Sequence, residues 1–442
     1  MIAGYDATIA RVLIPRNSRS TSAMNDATPR SQPSSHDARL DALAQVAIEV
    51  GLRIGRGQEL VMTAPLEAVP LARRITEHAY RAGAALVTTL YSDEQAVLTR
   101  FEHAADESFD RSTAWLFDGM AAAFRNGAAR LAIRGDDPSL LARQDAEKVS
   151  RANRAQSTAY RPALELITDF AINWTIVPYA TPAWARAVFP DLAPDAAVAR
   201  LWDAIFSAAR VDGPDPSAAW QAHNAALHAR TALLNARRYA ALRFRGPGTD
   251  LTVGLADGHA WCGGAAPAKN GIVCNPNIPT EEVFTTPHKD RIDGVVTSTK
   301  PLSYMGTLIR DIRMRFAHGR VVEASATSGE DVLRKVLDTD EGARRLGEVA
   351  LVPYSSPISR SGLLFFNTLF DENAASHIAL GQAYSECFVD SGTRTREQLA
   401  TQGANASLIH IDWMIGSSQV DVDGLSADGA AEPLMRRGDW VA

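Results

Sequence analysis

The chain has 442 residues, 46% apolar and 22% charged, which is enough material for two or three domains with a substantial core. Its 45 basic and 51 acidic residues give a net charge of −6, and no basic stripe interleaved with aromatics runs through it, which argues against a nucleic-acid partner. Cys262, Cys274 and Cys387 are odd in number and widely spaced, so they supply neither a disulfide framework nor CxxC metal spacing and fit a reducing cytoplasm.

The opening "MIAGYDATIARVLIPRNSRS" has no continuous apolar stretch, being broken by Asp6 and Arg11, which argues against a signal peptide. No later apolar run reaches membrane-spanning length. Residues 1–37 read as a poorly ordered tail. Their "RNSRSTSAMNDATPRSQPSSHD" is rich in Ser, Pro, Asn and Asp without periodicity, and Met24 within it offers a second start. From Arg39 the texture changes. "LDALAQVAIEVGL" predicts an amphipathic helix stopping near Gly51, "ELVMTAP" a short buried strand, and "LEAVPLARRITEHAYRAGA" a helix closed by Gly83. "ALVTTLYSD", "ARLAIRGDDP" and "FAINWTIVPYA" predict three more strands with helices between them, and Thr181-Pro182 opens one helix as N-cap and first-turn proline. Strands alternating with helices imply a parallel sheet covered on both faces.

A long helical pattern from about Asp215 to Tyr239 leads into a different texture. "ALRFRGPGTDLTVGL" predicts two strands around a turn, followed by the loop-rich "VCNPNIPTEEVFTTP" and the strand pattern "RMRFAHGRVVEASA". The expected organisation is a tail (1–37), an N-terminal parallel-sheet α/β domain (38–235), and a mainly β, α+β C-terminal domain (236–442). Neither GxGxxG after a strand nor GxxxxGK[ST] occurs, so the α/β half carries no nucleotide signature.

The chemistry-bearing residues lie in the C-terminal half. "SLIHIDWMIGS" reads as a buried strand. Its period of two puts His410 and Asp412 on one face, about 7 Å apart along the strand. A carboxylate in an apolar strand needs a partner, which backbone groups or a metal could equally supply. "NAASHIALGQAY" is rich in Ala and Leu and predicts a helix. On a helix the seven-residue spacing would put His377 and Tyr384 on one face, either as core residues or as ligands. Glu281 and Glu282 of "NIPTEEVFTTP" and Glu348 of "LGEVALV" complete the set, the latter at the mouth of an apolar run. Hard oxygen donors with imidazole suit zinc, cobalt, manganese or iron. Two such ions near one another support hydrolysis of an amide or ester.

"NIPTEEVFTTP", "STKPL", "LGEVALV", "NTLFDENAASHIALGQAY" and "HIDWMIGS", in this order and spacing, resemble the thermophilic aminopeptidase family, the aminopeptidase T and aminopeptidase S group. The resemblance runs from about residue 39 to the end and includes "NWTIVPYATPAWARAVFP" and "RFRGPGTDLTVGL" in the earlier part. It implies a cytosolic, homodimeric metallo-aminopeptidase that acts on peptides, prefers hydrophobic leucine-like N-terminal residues, and has its metal centre in the C-terminal domain. It also implies two divalent ions per chain, zinc or cobalt first, manganese or magnesium next. Carried over by motif, the ligands are Glu282, Glu348, His377, Tyr384, His410 and Asp412. Glu348 bridges, and Glu281 beside a ligand is the candidate general base. Distant relatives of that family are ring-cleaving dioxygenases for dihydroxypyridines, so a single Fe(II) on His377, His410 and Asp412 is the alternative. A peptide-binding protein with a dead site is a third reading.

Overall fold

The first alternation of strands and helices builds a four-stranded sheet in the order β2-β1-β3-β4, from Glu59–Pro65 (β1), Leu86–Ser92 (β2), Ala129–Arg134 (β3) and Trp174–Pro178 (β4). Every pairing in it is parallel. The computed structural model describes residues 35–304, 307–390 and 394–441, so the expected tail lies outside the described residues up to position 34. The first helix, α1 (His36–Val46), is capped by Ser35, whose hydroxyl accepts from the Ala38 N–H, and continues as a π-helical turn to Leu52. The helices α2 (Val69–Arg81), α3 (Glu94–His103), α4 (Ala114–Arg125), α5 (Ala146–Thr168), α6 (Pro182–Val188), α7 (Pro194–Ala208) and α8 (Pro216–Arg237) follow. As the proline reading implied, Thr181 caps α6, accepting from the Trp184 N–H at 3.2 Å.

The two faces of this sheet are buried by different helices. Leu60, Met62 and Ala64 of β1 join a core with α1, α2, α6 and α7, whereas Val61 joins Met120 and Phe124 of α4 and Ala163 and Ile167 of α5. One strand feeding two cores at period two is what a parallel sheet covered on both sides requires.

The C-terminal half is mainly β. An eight-stranded antiparallel sheet runs β10-β9-β8-β6-β5-β14-β15-β16. Its members are β5 (Ala241–Gly246), β6 (Thr249–Leu255), β8 (Pro287–Thr297), β9 (Arg313–Ala317), β10 (Arg320–Ser325), β14 (Asp421–Leu425), β15 (Ala431–Arg436) and β16 (Asp439–Trp440). A second, four-stranded antiparallel sheet, β13-β12-β11-β7, is made from Val283–Thr285 (β7), Leu346–Leu351 (β11), His377–Gly381 (β12) and His410–Met414 (β13). Val283, Leu346, Val349, Leu351, Ile378, Leu380 and Trp413 on one face of this small sheet pack into a core shared with the large sheet. Helix α8 spans the two halves: Trp220 belongs to the first core, Leu227 and Leu234 to the second.

The Ala-rich segment 373–384 departs from its helical expectation. Glu372–Ala374 is one 3₁₀ turn, and His377–Gly381 is a fully buried central strand. Strand neighbours on both sides supply its backbone partners, and this tertiary pairing overrides the helix propensity of Ala and Leu. His377 and Tyr384 therefore do not meet across a helix face.

Candidate metal centre

The small sheet has one apolar face and one polar face, and register fixes which residues share the polar one. Ala379 at the centre of β12 lies opposite Glu348 on β11 and opposite Asp412 on β13. Gly381 lies opposite His410, and His377 opposite Ala350. Residues directly opposite share a face. Glu348, His377, His410 and Asp412 therefore project to one side, over the small side chains of Ala350, Ala379 and Gly381. Gly381 is needed as glycine: its φ is +104°, and a Cβ there would meet the Ile409 carbonyl oxygen at 2.1 Å. Glu282 enters from the end of the preceding loop, immediately before β7.

The donors form two groups that share one residue. Donor atoms of Glu282, Glu348 and His377 lie within 4.8 Å of one another, as do those of Glu348, His410 and Asp412. His377 Nε2 is 3.1 Å from Glu282 Oε2 and 3.6 Å from Glu348 Oε1. His410 Nε2 is 3.5 Å from Glu348 Oε2 and 3.4 Å from Asp412 Oδ1. The two oxygens of Glu348 thus face two different imidazoles.

Both imidazoles are oriented by backbone. His377 Nδ1 is 3.1 Å from the Ala375 carbonyl oxygen and His410 Nδ1 is 2.7 Å from that of Gln382. A carbonyl only accepts, so each Nδ1 carries the proton. In the neutral ring the Nε2 lone pair then points at carboxylate oxygens. A lone pair facing an anion at these distances requires a cation between them, either a metal or a second ring proton. Glu282 Oε2 and Asp412 Oδ1 are buried and receive no hydrogen bond, which fits the same requirement. Without an ion, protons fill the gap. Burial opposes charge on His377, but Glu282 and Glu348 hold it well above the usual imidazole range. Burial likewise opposes charge on His410, while Asp412 and Glu348 push it up. Burial raises Glu282, with His377 pulling it down. Hard oxygens, two Nε2 donors oriented through Nδ1–H to backbone carbonyls, and orphaned carboxylate oxygens fit divalent metal ions.

Tyr384 reaches the site from the loop after β12. Its ring lies on that of His410, centroids 4.6 Å apart, and edge-on to Phe284 at 6.3 Å. Burial, then Glu348 and Asp412, push its hydroxyl well above the usual range. Glu281, expected beside the ligands, is turned elsewhere. One Arg210 Nη2 sits between its carboxylate oxygens at 2.7 and 2.8 Å, and His223 Nε2 is 3.9 Å away. Burial pushes Glu281 up to about 7, with Arg210 pulling the other way. Adjacent residues of an extended segment face opposite ways, and here Glu282 takes the side that faces His377.

The sequence reading overlooked Glu372. It lies in the 3₁₀ turn before β12, outside both donor groups. Burial, followed by Glu282 and Asp412, raises its carboxyl well above the usual range. The available signal was its place five residues before His377, in "FDENAASH".

The parallel α/β half, the β half and this carboxylate–imidazole face mark the chain as a candidate metalloenzyme. Residues 36–440 match the family described as thermophilic metalloprotease (M29). Aminopeptidase T of Thermus thermophilus is 58% identical over 402 residues, covering 91% of this chain and 98% of that protein. Aminopeptidase 2 of Geobacillus stearothermophilus is 44% identical over 405 residues, covering 92% and 98%. The solved structure of wild-type AmpT from Thermus thermophilus superposes with a TM-score of 0.88 at 56% identity, covering 92% of this chain and all of that one. A 2,5-dihydroxypyridine dioxygenase from Pseudomonas putida KT2440 shares the fold at a TM-score of 0.51 and 13% identity, covering 93% and 99%. The chain belongs to the thermophilic metalloprotease family (M29) and is a metallo-aminopeptidase, a hydrolase of peptide bonds. Among the described residues no helix is long and apolar enough to cross a membrane.

Proposed function

We propose that this aminopeptidase removes hydrophobic, leucine-like residues from peptide N-termini by hydrolysis supported by two divalent ions per chain, zinc or cobalt. The observation that carries the reading is the sharing of Glu348: its two oxygens face His377 and His410, so one carboxylate serves two donor groups. Glu282, Glu348 and His377 would hold one ion and Glu348, His410 and Asp412 the other, with Tyr384 against His410 as the sixth ligand. When bound, such a pair acidifies water and polarises the scissile carbonyl. The chain's part is positional. The Ala375 and Gln382 carbonyls fix both imidazoles, and Ala379 keeps space open between Glu348 and Asp412.

Family resemblance supports a homodimer acting in the cytoplasm, with the donor set in a C-terminal domain beginning near residue 236. The single-iron dioxygenase alternative uses only His377, His410 and Asp412 and leaves Glu282 without a task. Chelation should abolish release of a chromogenic amine from a leucine anilide, and zinc or cobalt should restore it. Elemental analysis should approach two ions per chain. One iron per chain together with ring cleavage of a dihydroxypyridine would replace this reading.

A further inference from the structure

The donor face of the small sheet carries a large apolar side chain that the scaffold does not use. Strand β7 sets Phe284 opposite Ala350 of β11, and Ala350 stands opposite His377 of β12. Directly opposed residues share a face, so Phe284 projects to the same side as the donors. Glu282, two residues earlier in the same extended segment, reaches His377 from that side as well. Val283 between them points the other way, into the core. With neighbouring strands about 4.8 Å apart, the Phe284 backbone lies about 10 Å from that of His377.

Burial along this segment is inverted. Every residue from 278 to 287 is buried except Phe284, which is partly exposed, while Thr280, Glu281, Glu282, Thr285 and Thr286 are withdrawn from water. Folding alone favours the opposite arrangement. Among the described residues Phe284 belongs to none of the hydrophobic cores and packs on the edge of none. Its ring lies edge-on to Tyr384, which in turn lies on His410. At the far end of the same row Met414, opposite His377, is buried. Phe284 is thus an apolar surface at the rim of the donor face that an incoming molecule can still touch.

We propose that Phe284 is a specificity-determining residue of this active site, its ring packing against the side chain of the substrate's N-terminal residue. The proposal rests on the aminopeptidase reading above and names a residue behind its hydrophobic preference. The Cα of that substrate residue adjoins the scissile carbonyl. With the carbonyl held at the donor groups, the side chain falls within reach of the Phe284 ring. A missing methylene in such an apolar contact costs about 10–200-fold in kcat/KM.

The test compares wild type with Phe284→Ala, Phe284→Leu and Phe284→Trp. Each is read for metal content, L-leucine binding by calorimetry, and kcat/KM on the p-nitroanilides of alanine, leucine, phenylalanine and lysine. Phe284→Ala should keep its metal and lower the leucine-to-alanine ratio of kcat/KM by about 10-fold or more, with weaker L-leucine binding. Phe284→Leu, which retains an apolar contact, should fall between it and wild type. Phe284→Trp should depress phenylalanine and leucine while sparing alanine. A wild type that prefers lysine would sink the leucine-like reading, and Phe284 would then stand or fall on whether the ranking of the four substrates moves in the variants. A wild type that cleaves none of them would sink the hydrolytic reading, leaving L-leucine binding to decide on Phe284. An unaltered ranking and unaltered L-leucine binding in every folded variant overturn the proposal. Equal losses on all four substrates together with loss of metal do so too, by making Phe284 a support of the donor set. Failure of all three variants to fold would make the ring structural and overturn it as well.

Discussion

The backbone N–H of Glu281 donates to Oδ1 of Asn373 across 92 residues of sequence, at 2.6 Å, and Asn373 is fully buried. The same side chain donates through Nδ2 to the Leu369 carbonyl. This amide joins the loop that delivers Glu282 to the turn that delivers Glu372 and His377. Asn373→Ala should therefore cost about 1–3 kcal/mol by stranding a buried N–H and carbonyl. Metal affinity should fall by about 10–100-fold, as when supporting partners of a metal site are removed. Denaturant titration and metal titration of the variant measure the two effects. A destabilised variant with unaltered metal affinity would confine Asn373 to scaffold duty.

Ala379 occupies the middle of the row Glu348–Ala379–Asp412 and is completely buried. A larger side chain there would project into the space between the two carboxylates. Ala379→Val suits a strand backbone, so its overpacking cost should stay near about 1–3 kcal/mol. Elemental analysis should nevertheless show reduced metal content, and turnover should fall with it. Full metal content in a folded variant would place the ions elsewhere.

Legibility in the sequence followed how local each signal is. The parallel sheet was readable because strands such as "ELVMTAP" and helices such as α2 each carry their own periodicity and punctuation. Strand β13 was readable too, since His410 and Asp412 alternate with Ile411 and Trp413. The segment around His377 was misread because its strand state comes from neighbours about 30 residues away on each side, while its composition favours a helix. The helical expectation also gave no reason to single out Glu372, which the turn before β12 brings near the donor groups. The orientation of Glu281 was equally out of reach, because it is set by Arg210, 71 residues earlier, whose own backbone lies at φ +57° just after α7.

His410 lies at the start of an edge strand of the small sheet, and apart from its bond to the Gln382 carbonyl and the Glu348 and Asp412 carboxylates its ring packs on Tyr384, so removing it should leave the fold standing. His410→Ala should fold, lose metal from the group it shares with Glu348 and Asp412, and lose turnover by orders of magnitude. Circular dichroism and elemental analysis on the same sample decide the matter. An unfolded protein with normal metal content would mark the His–Asp pair as structural.

His223 links pH to stability. Burial first, and then Arg210, lower its pKa from 6.5 to about 4. Its Nε2 meets the Thr280 carbonyl at 2.7 Å, and its Nδ1 lies 3.1 Å from Arg210 Nη2. Between pH 4 and 6.5 the unfolded chain binds a proton here that the folded chain refuses. The contribution of His223 is therefore complete above 6.5 and is lost as pH falls towards 4, by about 3 kcal/mol in all. His223→Gln removes this titration. The stability difference between wild type and variant, measured in urea, should shrink as pH drops from 7 to 4.5. A difference independent of pH would show that His223 titrates normally in the folded protein.

The neighbouring acids Glu281 and Glu282 should fail in different ways when each is replaced by glutamine. Glu282→Gln weakens one donor group while leaving the fold intact, so metal content should drop and excess zinc or cobalt should restore part of the turnover. Glu281→Gln strands Arg210, whose side chain is only 16% exposed, without its counter-charge. Removing one partner of such a pair costs about 3–5 kcal/mol, so the midpoint in urea should fall clearly. The backbone tie to Asn373 survives the change, so ions should still bind and the folded fraction should turn over at near the wild-type rate. Metal content, midpoint and kcat across a metal titration separate the cases. A Glu281→Gln variant with unchanged stability, full metal content and kcat reduced by about 10²–10⁴-fold would return proton transfer to Glu281. It would also require Arg210 to release that carboxylate during turnover.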